Sequence, residues 1–123
     1  MATTTASIQK RSFGAPDETR PAGRGEAAVV GLGDLTFARI TVQPGWRWST
    51  DVKPIANTDS CQAVHTGVVL SGRLGCTMDD GTQEEFGPGD LYHIPAGHDA
   101  WVVGDEPMVG LDFTGMGEYA KPR

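Results

Sequence analysis

Residue types that bind transition metals or move protons gather in the middle of this chain: Asp59, Cys61 and His65, with His98 one apolar run further on. Thiolate and imidazole together favour zinc, iron, nickel or copper over magnesium or calcium, because soft and borderline donors suit those ions. If the fold brings them together, Cys61, His65 and His98, with Asp59 as a fourth ligand, would suit one divalent transition metal. Without a metal, His65 and His98 make a candidate catalytic acid/base pair, since imidazole titrates near neutral pH. Plainer roles compete for the same residues. Cys61 can be a small buried hydrophobe, Asp59 a turn residue in Asn57-Thr58-Asp59-Ser60, and His98 a partner of its own turn.

The elements that must position these groups read as short strands between turns. Ala27 to Val30 and Leu35 to Val42 are apolar runs, the second ended by Pro44-Gly45. Ala63 to Leu70, Arg73 to Met78, Thr82 to Phe86, Leu91 to Ile94, Ala100 to Val103 and Met108 to Phe113 follow. Asp79-Asp80-Gly81, Gly87-Pro88-Gly89-Asp90 and Pro95-Ala96-Gly97 supply the turns, and the even spacing predicts an antiparallel meander. Ser49 to Ser60 is polar, carries no apolar period of its own and predicts a long loop over one end of the fold. Strand alternation from His98 would point it to the same side as Ala100. Residues 1–25, rich in Thr, Arg, Pro and Gly, predict an N-terminal arm, 26–115 one β-barrel domain, and 116–123 a short tail.

Around the histidines, Trp46, Trp48, Tyr92 and Trp101 are candidate walls of a ligand pocket, with Trp46 and Trp48 placed on one strand face. Gly67 shares a face with His65, and its missing side chain would leave room beside the imidazole. His93 is a further pocket candidate whose face depends on whether a bulge intervenes. Asp51 and Lys53 are expected at the rim. Val64, Val68 and Leu70 alternate with the inward set and predict an apolar outer face that another copy of the chain would cover.

The chain has 123 residues and a formal net charge of −6, enough for one core and too acidic for a phosphate-binding surface, since no Lys/Arg cluster appears. No apolar stretch approaches the roughly 20 residues needed to span a bilayer. Neither a membrane nor a nucleic-acid partner is expected. The first residues lack the apolar core of a secretion signal, which predicts a cytoplasmic protein whose two cysteines, Cys61 and Cys76, stay reduced.

The segment Gly89-Asp90-Leu91-Tyr92-His93-Ile94-Pro95-Ala96-Gly97, and His65 seven residues before Gly72, resemble the paired signatures of the cupin superfamily, G(x)5HxH(x)3,4E(x)6G and G(x)5PxG(x)2H(x)3N. The resemblance runs from about Leu35 to Phe113. It implies an all-β fold, an antiparallel double-stranded β-helix of jelly-roll type, whose interior holds a metal or an organic ligand, and it implies a homodimer. Counting back from Gly72, the Glu position is His65 and the HxH positions are Asp59-Ser60-Cys61; counting on from Gly97, the last His position is Ala100. The scaffold residues are kept and the ligands altered. The function so implied is a small-molecule enzyme of oxygenase, isomerase or lyase type acting on a small oxygen-rich substrate with a divalent metal. A metal-free ligand-binding or regulatory barrel, and a cofactor-free cyclase or isomerase using the histidine pair, are the alternatives.

Overall fold

Alternation of apolar and polar residues, interrupted every few positions by glycine or proline, turns much of the chain into strand. The computed structural model describes residues 7–114. The strands are β1 (Glu18–Pro21), β2 (Gly25–Leu32), β3 (Leu35–Val42), β4 (His65–Ser71), β5 (Leu74–Met78), β6 (Gln83–Phe86), β7 (Leu91–Ile94), β8 (His98–Val102) and β9 (Met108–Thr114). Between β3 and β4 lie two single-turn helices, α1 (Trp48–Asp51) and α2 (Lys53–Ala56).

All strand pairings are antiparallel and fall into two sheets, one ordered β1-β2-β3-β9-β4-β7 and the other β6-β5-β8. This is not the sequential meander expected from turn spacing. Turn residues fix where the chain reverses, but not which strand it then joins. From β4 onward the chain passes repeatedly from one sheet to the other, so β9 is inserted between β3 and β4, and β8 lies against β5. Each crossing lays a half-apolar strand over the opposite sheet, and the enclosed core includes Val42, Trp46, Trp48, Val52, Val69 and Ile94. Gly72 makes the β4 to β5 turn possible. Its φ of +72° is left-handed, and a Cβ there would meet Met108 Cα at 2.7 Å and the Pro107 carbonyl oxygen.

Two local expectations change. The segment Ser49 to Ser60 is not a loop throughout, because Trp48, Val52 and Ala56 recur at helical spacing and are all buried. The period begins at Trp48, before the polar stretch, and is invisible if the window starts at Ser49. Trp46 and Trp48 therefore do not share a strand face; Trp48 opens α1, although both rings are buried. Asp51 is not a rim group, since its carboxylate accepts from the Arg47 backbone N–H at 2.9 Å and from Arg24.

The arm is also shorter than expected. Glu18–Pro21 pairs with β2 as an edge strand, and residues 7–17 ahead of it form neither strand nor helix. Arg11 bonds the Asp17 carboxylate and the Gly31 carbonyl, and the Phe13 ring lies 5.4 Å below the Arg39 guanidinium. These contacts cover the outer side of β2 and β3, which is why Ala27 to Val30 are buried on both faces. Across the same sheet Leu70, Leu91 and Phe113 stay exposed. The expected tail, 116–123, and residues 1–6 of the arm lie outside the described residues.

Candidate metal centre

Three elements deliver Cys61, His65 and His98 to one point in the barrel. His65 is the first residue of β4, opposite Ile94, with its side chain inward. His98 is the first residue of β8, where burial alternates so that His98 and Ala100 both face the interior. Cys61 ends the connector and is pinned by backbone: its N–H donates to the His98 carbonyl at 2.7 Å, and Gly97 N–H donates to its carbonyl at 2.7 Å. The donor atoms of the three side chains all lie within 4.8 Å of one another, and all three residues are buried.

The outer nitrogens of both imidazoles are committed to acceptors. His98 Nδ1 lies 2.7 Å from the Pro95 carbonyl oxygen, which only accepts, so Nδ1 holds a proton and Nε2 is the nitrogen left to take a ligand. His65 Nδ1 lies 2.8 Å from Asp112 Oδ2, and its Nε2 lies 3.8 Å from Cys61 Sγ. The rings meet edge to face with centroids 5.3 Å apart. Orienting a histidine through its second nitrogen in this way is how metal-binding imidazoles are held.

The donor set fits a transition metal. An ion with sulfur at about 2.3 Å and nitrogen at about 2.0 Å in a tetrahedral site needs an S to N separation of about 3.6 Å. The 3.8 Å between Cys61 Sγ and His65 Nε2 is close to that value, and the three donors as a set lie within 4.8 Å of one another. Three protein donors leave a position for a further ligand, the pattern of reactive rather than purely structural sites.

Burial alone would push the Cys61 thiol up, but hydrogen bonding to His65 and His98, aided by their charge, brings it down to about 6. Burial likewise disfavours the His65 imidazolium, yet the bonds to Asp112 and then Cys61 outweigh it and raise its pKa to about 9. The pair therefore favours thiolate beside imidazolium near neutral pH, and the thiolate is the form that binds metal. Cys76 is different: burial, then the charges of Cys61 and Asp99, push its thiol up to about 11, as befits a buried core residue. Neither cysteine is in a disulfide.

Asp112 was not among the residues expected at the site. It is fully buried in β9, takes the His65 contact and lies 3.5 Å from the Tyr92 hydroxyl. A sequence signal did exist. Met108, Gly110 and Asp112 share strand parity, and a carboxylate on the inward face of an apolar strand requires a buried partner.

Of the other expected residues, Trp46, Trp48 and Tyr92 line the interior cavity with His65, His98 and Asp112. Asp59 does not join the cluster: it is exposed and lines an outer polar groove with Lys53, Ser60, Gln62 and Asp79. Beside His65, the room expected at Gly67 is taken, since a Cβ there would stand 2.6 Å from the Tyr92 hydroxyl. No bulge turns His93 inward; it is exposed and hydrogen-bonded to Thr66 Oγ1 at 2.9 Å. Trp101 has the opposite parity to Ala100 and lies outside under Arg47, 4.8 Å from the guanidinium carbon.

No family model and no curated protein sequence matches the chain. Solved structures do. A protein of unknown function from Rhizobium leguminosarum bv. viciae 3841 superposes with a TM-score of 0.60 at 20% identity, over 95% of this chain and 99% of that one. An oxalate decarboxylase variant from Bacillus subtilis gives 0.63 at 18% identity, over 94% of this chain but 31% of that one. A cupin 2 conserved barrel domain protein from Salinispora arenicola CNS-205 gives 0.57 at 14% identity, over 89% and 88% of the two chains. Among the described residues, no helix is long and apolar enough to cross a membrane. With its two facing antiparallel sheets, its inward Cys/His/His cluster and these structural likenesses, the chain has the fold of the cupin superfamily.

Proposed function

We propose that this protein is a small-molecule enzyme built around one divalent transition metal held by Cys61, His65 and His98. The observation that carries the reading is the convergence of three buried donors whose two imidazoles are each anchored through Nδ1 and present Nε2 inward. The oxalate decarboxylase among the structural relatives lends the fold an enzymatic precedent. When bound, such an ion supplies Lewis acidity to a substrate oxygen or sulfur. The protein's own part is to keep His65 and His98 in one tautomer, to hold Cys61 as thiolate and to exclude bulk water with Trp46 and Trp48.

Elemental analysis of untagged protein tests this directly. The expected result is near-stoichiometric zinc, iron, nickel or copper, lost on chelation and absent in His65→Ala. Metal-free protein that ignores all four added ions would overturn it. That outcome would favour the second reading, a cofactor-free isomerase or cyclase using the histidine pair, for which the His65 pKa of about 9 and the 5.3 Å ring separation speak. We also propose that a second copy covers the strip of Leu70, Leu91 and Phe113, which is uncharged on a chain of net charge −6. Light scattering at twice the chain mass is the expected result, and a monomer would refute it.

A further inference from the structure

The cavity that opens on the cluster is apolar on every side except one. Val42, Trp46, Leu74, Ile94, Ala100 and Met108 are among its lining residues, and the lining contains no Lys, Arg, Ser, Thr, Asn or Gln. The polar atoms close to it are largely spoken for by the protein. Trp46 Nε1–H donates to the Ala22 carbonyl at 2.8 Å, and the Tyr92 hydroxyl donates to the Leu111 carbonyl at 3.3 Å. Both histidine Nδ1 atoms are bonded as described. Asp112, which also lines the cavity, is fully buried with Oδ2 2.8 Å from His65 Nδ1 and 3.5 Å from the Tyr92 hydroxyl, so its charge is already paired with that imidazole. The space is small, about 40 Å³.

We infer that the site takes a compact molecule with a single metal-binding head, an oxygen or sulfur donor, and a hydrocarbon body with no second charged or strongly polar group. This rests on the metal reading above and narrows it, where the family resemblance implied an oxygen-rich substrate. The physical reason is desolvation. A second polar group pushed against Val42, Leu74, Ile94 and Met108 would lose its water and find no partner, whereas a methyl group there gains burial. Away from the metal-binding cluster, the lining holds no Lys or Arg to meet a second anionic group.

Three thiols of four heavy atoms separate the possibilities: 1-propanethiol, 2-mercaptoethanol and cysteamine, which differ only in a distal methyl, hydroxyl or ammonium. Cobalt-loaded protein is titrated with each and the ligand-field spectrum followed, with cobalt content measured independently. The expected result is that 1-propanethiol binds about tenfold to a hundredfold more tightly than 2-mercaptoethanol, and cysteamine most weakly. Equal affinities, a preference for the hydroxyl or ammonium, or no spectral response from cobalt-loaded protein would overturn the inference while leaving the metal centre standing. Failure to take up cobalt would remove the metal reading and this inference with it.

Discussion

Replacing Asp112 by asparagine isolates what the buried carboxylate does for His65. The side chains have the same shape, so the amide oxygen can still accept from Nδ1–H across the 2.8 Å now occupied by Oδ2, and what is lost is the charge. A hydrogen bond to a charged group contributes about 1.5–3 kcal/mol and a neutral one about 1 kcal/mol, so metal-free D112N should lose about 0.5–2 kcal/mol in urea denaturation. Removing the outer partner of a metal-binding histidine typically costs 10- to 100-fold in affinity, about 1.4–2.7 kcal/mol. Zinc affinity measured by competition against a chromophoric chelator should fall by that factor, with stoichiometry unchanged. Asp112→Ala is the harsher comparison. It leaves Nδ1–H without its acceptor in the interior and should cost about 3–5 kcal/mol, enough to obscure metal binding by unfolding. If D112N binds zinc within about twofold of the parent while folding normally, Asp112 does not position His65, and the reasoning from second-nitrogen anchoring fails.

Four further outcomes are expected. In metal-free protein, the thiolate absorbance of Cys61 should appear as pH rises through about 6, and in His65→Gln it should shift well upward. For stability, the lowered thiol contributes fully above its ordinary value of 9.0 and loses this as pH falls through about 6; the raised imidazole contributes fully below 6.5 and loses this as pH rises through about 9. The two slopes oppose each other between these limits, so the pair should leave unfolding free energy flat from about 6.5 to 9, and a steep change within that window would contradict the pairing. Gly67→Ala should destabilise by about 2–3 kcal/mol in urea, because its Cβ would drive into the Leu111 carbonyl oxygen and the Tyr92 hydroxyl; a neutral result would contradict the close β4 to β9 approach. His93→Ala and Trp101→Ala should leave metal content and affinity unchanged, the latter losing about 0.5–1 kcal/mol with its Arg47 contact, and a fall in metal stoichiometry in either would refute their outward placement.

What could be read from sequence followed from local geometry. The strand His65 to Leu70 and its turn at Gly72 are fixed by alternation and by the left-handed glycine, so His65 could be counted inward. His98 followed from parity with Ala100. Where the reading failed, a third dimension was needed. Gly67 shares a face with His65, but β9 and Tyr92 of the neighbouring strands close over it, and no residue spacing reports that. Asp59 precedes Cys61 by two residues, yet Cys61 makes a single bridge to His98 rather than a ladder, so strand parity does not extend back along the connector. Asp112 is the opposite case: its parity was legible in Met108 to Asp112, but its partner is 47 residues away.

The ligand alterations and the apolar cavity have one geometric origin. In the superfamily pattern that the chain resembles, the last imidazole would stand at Ala100; here it stands at His98, one pleat earlier on the same face of β8. Two residues along a strand span about 6.7 Å, so the imidazole is displaced by roughly that distance toward the Pro95-Ala96-Gly97 turn. Cys61 reaches this displaced point because its backbone is bonded to Gly97 and His98. The volume that an imidazole at position 100 would have filled is bounded instead by the Ala100 methyl, Leu74 and Ile94. With histidine at 98 rather than 100, the Cys61, His65 and His98 side chains gather beside the Pro95-Ala96-Gly97 turn, and the cavity next to them is lined in part by Leu74, Ile94 and Ala100. A chain with histidine at position 100 and alanine at 98 should exchange the two: the metal would move toward the barrel centre, away from Cys61, and the room for 1-propanethiol would close.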